Sequence, residues 1–381
     1  MHAHSPLGRL TALATLGLGL ACGGSSSGGR GGAGGTSSVI GTTGGSLDAG
    51  TQSLGGASGS TAVSLTAGDA SDPHAVTAFT LLGAASRIDQ ITFGPDGKLW
   101  FTAPQDHVVG RLAPARGTID FFQSLLCRAN PTLCHPEGIT AGPDGALWYV
   151  EASLDKIYRI TTSGVISEYP ACIGTIHCQP WDIVPGPDGN LWFTEQDGNA
   201  IGRITPAGAV SAFTVAASNT APTGIAAGPD GNLWFSQMLD AIGRITPDGT
   251  VTNFPTPNGN TDIEHITAGP DGNLWFVDAN AAAIGRIAPT GEFAQFPVPA
   301  SALPGGPADI VAGQDGNLWF TIPLLPGFGR ITPTGAFTVY PVSAASNGVT
   351  YHPYAITAGP DGAIWFAAYS TSGCLLGRFP P

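Results

Sequence analysis

Positive charge is scarce in this chain. Its 381 residues hold 14 Lys and Arg against 27 Asp and Glu, a formal net charge of −13. A surface that grips phosphates needs clustered cations, and none is visible, so nucleic acid is excluded as a partner. Long apolar runs are also missing. The longest, residues 10–21, is too short to span a bilayer. No Cys-x-x-Cys pair occurs among the six cysteines. Residues 23–72 contain almost no large apolar side chain. Such a stretch cannot offset the entropy of ordering, and it reads as a flexible Gly/Ser/Thr-rich tether.

What is abundant is one phrase. Gly-Pro-Asp-Gly, once as Gly-Gln-Asp-Gly, starts at Gly94, Gly142, Gly186, Gly228, Gly269, Gly313 and Gly359, so successive copies lie 41 to 48 residues apart. A Trp follows each: Trp100, Trp148, Trp192, Trp234, Trp275, Trp319 and Trp365. Periods of this size belong to propeller blades or helical arrays. The local chemistry selects strands. Each unit reads as an apolar strand A, a Pro-Asp-Gly turn, a Leu-Trp-Phe strand B, an Ile-Gly-Arg-Ile strand C, a Thr-Pro-x-Gly turn and an alternating strand D. Four short strands per unit make one blade, so residues 73–381 are expected to form an all-β, seven-bladed propeller.

The last unit offers strands A (354–358), B (364–367) and C (375–379) and then stops. Residues 75–82, Ala-Val-Thr-Ala-Phe-Thr-Leu-Leu, match a D strand with no blade of its own. Together the two fragments complete one blade and leave no open edge. The Trp in every B strand is read as packing between blades. Arg111, Arg159, Arg203, Arg244, Arg286, Arg330 and Arg378 occupy one position in every unit and are read as structural.

At the N-terminus, Arg9, the apolar residues 10–21 and Cys22 have the layout of a secretory signal. Cys22 after Leu-Gly-Leu-Ala suits lipidation, and the alternative is a plain signal peptide over residues 1–22. Either way the protein is expected to be exported: anchored by lipid to a bacterial envelope membrane, or secreted. Contact with membrane would come only through that anchor. Export makes disulfides feasible. Cys127–Cys134 and Cys172–Cys178 are the simplest of three connectivities; a metal site using the adjacent His135 and His177 is the rival. Cys374 is left over.

Sites are sought where the units differ. Two positions per blade should face the central channel: those just before strand A and that three residues after each Trp. They supply His135, Glu137 and Glu151 in unit two, Trp181, Asp182 and Glu195 in unit three, and Thr223 and Gln237 in unit four. Unit five supplies Asp262, Glu264, His265 and Asp278, and unit six Ala308, Asp309 and Ile322. Unit seven supplies His352 and Tyr354, with Tyr369 one residue past the equivalent position. Carboxylates such as Asp262, Glu264 and Asp278 can hold Mg²⁺ or Ca²⁺ or a proton. The expected partner is a small molecule, peptide or protein at this channel face of a monomer.

Pro-x-Gly-Ile-Thr-x-Gly-Pro-Asp-Gly-Asn-Leu-Trp-Phe-Thr-Glu, then Ile-Gly-Arg-Ile-Thr, then Gly-x-Val-x-x-Phe-Pro, resembles the repeats of the virginiamycin B lyase family. Residues 189–205 and 231–254 carry the match best, and it covers roughly residues 75–381. The resemblance implies a seven-bladed propeller with an N-terminal closing strand. It also implies an enzyme that opens a cyclic depsipeptide, streptogramin B, by elimination with Mg²⁺ and a histidine base. The family's Glu-Pro-His in the last repeat reads His352-Pro353-Tyr354 here, and its further Glu reads Tyr369. A second family His falls on Ala308. These departures favour a binding module. The competing expectation is a metal-dependent lyase whose site has moved to Asp262, Glu264, His265 and Asp278, or one that uses His352 and Tyr354.

Overall fold

In the computed structural model the described residues are 62–65, 76–81 and 87–380, apart from the short segments 175–176, 216–219, 239–240, 258, 260, 300–305, 325–326, 342–349 and 371–372. The signal segment and Cys22 lie outside them.

The Pro-Asp-Gly turns form as their chemistry dictates. In the first, the Gly97 amide donates to the Gly94 carbonyl at 3.0 Å, and Gly97 takes φ of +67°. Strands follow on both sides, and the chain winds into seven antiparallel sheets. Blade 4 is typical: Pro222–Ala227, Leu233–Gln237, Ala241–Ile245 and Val251–Pro255 pair in chain order as strands A to D. Successive A strands touch around the whole ring, the seventh (His352–Ala358) against the first (Gln90–Phe93). They therefore surround the axis, with D strands outermost.

The apolar core lies in the seven seams between blades, not at the centre. In the seam between blades 3 and 4, Trp192 packs with Phe235, Ile225 and Ile245; between blades 5 and 6, Trp275 packs with Phe320, Ile310 and Ile331. Each buried indole N–H needs an acceptor, and the turn aspartate supplies it. Trp234 donates to Asp230 and Trp192 to Asp188, both at 3.0 Å. In blades 1 and 3 to 6 the repeated Arg lies over the same indole and over a D-strand ring, as Arg244 does over Trp234 (5.6 Å) and Phe254 (5.5 Å). In blades 1, 3, 4 and 5 it also reaches the next blade: Arg203 donates to the Pro247 carbonyl at 3.0 Å and Arg286 to the Pro333 carbonyl at 3.1 Å. The structural reading of Trp and Arg holds. The glycine before the Arg in six of the seven blades has its own reason; blade 2 has Tyr158 there, stacked on Tyr149 at 5.1 Å. A Cβ on Gly243 would sit 2.0 Å from the Phe235 ring.

Ring closure follows the expected route with one addition. Val76–Leu81 pairs antiparallel with the C-terminal strand Gly373–Phe379, from Thr77 opposite Arg378 to Leu81 opposite Cys374. Phe79 stacks on Trp365 at 6.1 Å, and Val76 and Ala78 are buried against the neighbouring seam. Beyond it Ala62–Leu65 pairs with Val76–Leu81 as a fifth strand. That strand lies inside the stretch read as a tether. Ala-Val-Ser-Leu alternates small and larger apolar side chains, and a D-strand edge lies beside it to pair with.

Both proposed disulfides are present, Cys127–Cys134 and Cys172–Cys178. They indicate an oxidising, extracytoplasmic environment and displace the metal reading of these cysteines. Cys374 is a buried thiol in the closing seam. Among the described residues no helix is long and apolar enough to cross a membrane.

Two outcomes test this account. A protein beginning at residue 83 loses the closing strand and should aggregate or unfold well below the temperature of one beginning at residue 71; equal melting temperatures would remove the closure argument. Gly243→Ala should cost about 2 kcal/mol of stability in denaturant unfolding, because the added methyl overpacks a filled seam.

Candidate functional site

The antiparallel register brings the start of each A strand beside the end of the B strand. Pro136 pairs with Glu151, Pro180 with Glu195, and Pro222 with Gln237. All the predicted positions therefore share one face of the ring. The structure divides them into two groups.

The first group surrounds the channel axis. Arg87 pairs with Asp89, and its guanidinium lies 4.6 Å from the centre of the Tyr354 ring. His135 shares a hydrogen bond with Glu137 at 2.6 Å. Burial pushes the Glu137 carboxyl up to about 7, against the pull of His135. His265 faces Asp309 at 3.3 Å. Burial opposes the His265 charge, but Asp309, Glu264 and Asp182 outweigh it and raise its pKa. Glu264 is raised chiefly by burial, and Tyr354 is raised far out of reach of neutral pH by the same cause.

Two carboxylates of this group act as inter-blade staples. Asp182 accepts from Gln90 Nε2 (2.9 Å), from its neighbour Ile183 N (2.8 Å) and from Ile225 N of the next blade (3.0 Å). Asp309 repeats the pattern with Ile310 N (2.8 Å) and Ile356 N (2.9 Å). Burial raises both carboxyls. Arg87, Asp89 and Gln90 were absent from the sequence-based set. The signal was available, since they directly precede Ile91 and so hold the same register position in the first unit.

The second group lies farther out, under the crossovers from one blade to the next. Glu151 accepts from His135 N at 2.6 Å, and burial pushes it to about 8. Glu195 is 1% exposed, its Oε1 has no hydrogen-bond partner, and burial followed by Asp155 pushes it to about 7. Gln237 donates to Asn253 at 2.8 Å. Asp278 is fully buried and accepts from Gln295 Nε2 at 3.2 Å. The set Asp262, Glu264 and Asp278 is split. Asp262 interacts with Asp278, whereas Glu264 feels His265 first and then Asp262, Arg87 and Asp309, and not Asp278. Among the described residues, three metal-ligating atoms gather within 4.8 Å only around the two disulfides, whose sulfurs are already bonded to each other.

His352 and Tyr369 do meet. Their rings stack at 5.5 Å, and His352 Nδ1 contacts the Pro323 carbonyl at 2.6 Å. Trp181 is half-buried at the rim. Exposed large hydrophobic residues also favour this face. Leu125, Leu126 and Leu133 stand on the crossover between blades 1 and 2, Ile173 on the next crossover, and Met238 and Leu324 after B strands.

Seven four-stranded blades around a polar channel, closed by an N-terminal strand, define a seven-bladed β-propeller. The sequence profile of the virginiamycin B lyase family matches residues 62–175 and 171–376, and the chain belongs to that family. Selenomethionine-substituted virginiamycin B lyase from Staphylococcus aureus is 31% identical, with a TM-score of 0.70 over 80% of this chain and 99% of that one. The same enzyme as a catalytically inactive His-to-Ala variant with quinupristin is likewise 31% identical, at a TM-score of 0.70 over 80% and 98%. A streptogramin B lyase structure is 29% identical, at a TM-score of 0.70 over 80% and 97%. No curated protein matches the chain.

The buried glutamates yield a pH prediction. Glu195 is raised from 4.5 to about 7, so the folded protein binds its proton more tightly than the unfolded chain does. The stability this contributes is full below pH 4.5 and is lost as pH rises through 7. Glu195→Gln keeps the shape and removes the charge. It should raise the melting temperature at pH 8, by on the order of 2 kcal/mol in stability, and leave it nearly unchanged at pH 5. A variant less stable than the parent at pH 8 would contradict this.

Proposed function

We propose that this chain is an exported propeller, anchored through Cys22 by a lipid and a flexible tether, that binds a small molecule or peptide on its channel face without cleaving it. The observation that carries this reading is Tyr354. It stands where the family's base is expected, lies beneath Arg87, and is driven by burial to a pKa at which it does not accept a proton at neutral pH. The implied Mg²⁺ also lacks suitable donors there. His352 and Tyr369 offer an imidazole and a phenol in mutual contact, and the imidazole Nδ1 already contacts the Pro323 carbonyl. A hard cation takes carboxylate, carbonyl and water oxygens. Shared fold does not carry shared reaction. The exposed Leu125, Leu126, Leu133 and Ile173 beside an acidic mouth suit a ligand with apolar surface.

One observation favours a second reading, a relocated enzyme. His265 is buried and ion-paired to Asp309, with Glu264 adjacent. A carboxylate-oriented imidazole in a channel is an acid–base arrangement, and its raised pKa would make it a proton donor first.

Quinupristin distinguishes the two. Elimination gives an isomeric linear product, so chromatography is the readout, not mass alone. Incubated with purified protein and Mg²⁺, the antibiotic should remain cyclic. Opening at an enzymatic rate that His265→Ala abolishes would establish the relocated site; loss through His352→Ala would instead restore the family position.

A further inference from the structure

We propose that the cleft between blades 4 and 5 is a binding site for an alkylammonium or alkylguanidinium group, such as a Lys or Arg side chain of a peptide. It is independent of the channel-face reading, since its walls include Phe293 and Gln295 of the outermost strand of blade 5, Phe293–Pro297.

The inference comes from comparing equivalent positions. The residue three after each Trp sits beneath the crossover from the preceding blade. In blade 2 this is Glu151, and the Cys127–Cys134 sulfurs lie within 4.8 Å of its carboxylate. In blade 3 it is Glu195, which flanks Gly198 together with Cys178 of the second disulfide. A long side chain and a disulfide fill the cleft in both. In blade 5 the position holds Asp278, one methylene shorter, and the crossover above it carries no cysteine. A cavity of about 200 Å³ remains, lined by Pro257, Thr261, Phe276, Asp278, Phe293 and Gln295.

Among the described residues no cation faces the carboxylate in this cavity. Asp278 is fully buried, and its oxygens accept from the backbone amides of Ala281 (3.0 Å) and Asp262 (3.4 Å) and from the Gln295 amide (3.2 Å). All are neutral donors. Among the described residues neither Asp278 nor Asp262 is in an ion pair with Lys, Arg or His, unlike Asp309 or Glu137 in the channel. A buried carboxylate without a cation is costly, so a cation entering here is favoured. The walls select the kind of cation. Phe276 and Phe293 meet edge to face at 6.3 Å and offer apolar surface to a methylene stem and ring faces to its charged head. A bare metal ion would find one carboxylate, two threonine hydroxyls and a carboxamide among apolar walls, a poor set for a cation that takes six or more oxygens.

Calorimetric titration of the full chain with n-butylammonium, n-butylguanidinium and n-butanol tests the assignment. The alcohol matches the stem without the charge. Saturable binding of the cations, about tenfold or more tighter than the alcohol, is expected. Asp278→Asn should erase that preference. Gln295→Lys, which supplies an internal ammonium, should block both cations and raise the melting temperature, so one informative variant remains if the other folds poorly. Equal binding of butanol, absence of saturable cation binding, or an unchanged preference in Asp278→Asn would overturn the proposal. So would displacement of butylammonium by Ca²⁺, which would make this a metal site. None of these outcomes depends on whether quinupristin binds the channel face.

Discussion

Each blade is held by the carboxylate of its Pro-Asp-Gly turn. One oxygen of Asp230 caps the Asn232 amide and accepts the Trp234 indole N–H at 3.0 Å, and the other faces Arg244 at 3.9 Å. The same aspartate thus closes the turn, satisfies the largest buried side chain of the seam and orients the cation that reaches the next blade. Its pKa is lowered because bonds from Asn232 and Trp234 outweigh burial. Six blades show the Asp–Arg approach, from 2.5 Å at Asp144 to 3.9 Å at Asp230. These partly exposed pairs contribute little as ion pairs. Their value is positional, since the guanidinium must lie on the indole to donate to the neighbouring turn.

That constraint explains what could be read in advance. A residue that serves the unit recurs in every unit, so the turn, the Trp, the C-strand Arg and the blade count were all legible in the sequence. Closure was legible for the complementary reason, because a D strand was missing at one end and surplus at the other. Ala62–Leu65 escaped notice because four residues carry too little periodicity to stand out from a Gly/Ser-rich context. The channel was only half legible. Register placed Glu137, Asp182, Glu264 and His265 on the correct face, but no spacing reveals that Asp182 serves Ile225 across a blade seam. Nor does it reveal that Glu264 interacts with His265 and not with Asp278. Those distinctions arise from side-chain direction and from which crossover lies overhead.

Closure also shows how the ring handles a break in its own rule. Arg203, Arg244 and Arg286 each donate to a carbonyl in the next blade's C–D turn. Blade 7 has no such turn, because its outer strand comes from the other end of the chain. Arg330 of blade 6 bonds instead to Thr338 within its own blade, and its Nε is buried without a partner. Aromatic packing offsets the missing link. Phe379 meets Trp319 at 5.6 Å, Phe328 at 5.5 Å and Tyr340 at 5.4 Å, a cluster beyond the single Trp–ring stack of blades 3 to 5. Pairs of this kind are worth roughly 0.5–1.5 kcal/mol beyond area burial, enough to replace one hydrogen bond.

The channel face follows a different logic from the seams. A seam must be the same seven times, whereas each crossover only has to cover the cleft beneath it, and the chain uses distinct fillings. Two crossovers are braced by disulfides that close short loops, so they hold their shape through covalent constraint and not through a core of their own. Around the axis, opposite charges face one another: Arg87 with Asp89, His135 with Glu137, His265 with Asp309. Over blade 5 a cavity remains, and among the described residues no Lys, Arg or His pairs with the buried Asp278. The same economy that lets crossovers vary without disturbing the ring is therefore what leaves room for a ligand, and it does so where the repeat ceases to dictate the residue.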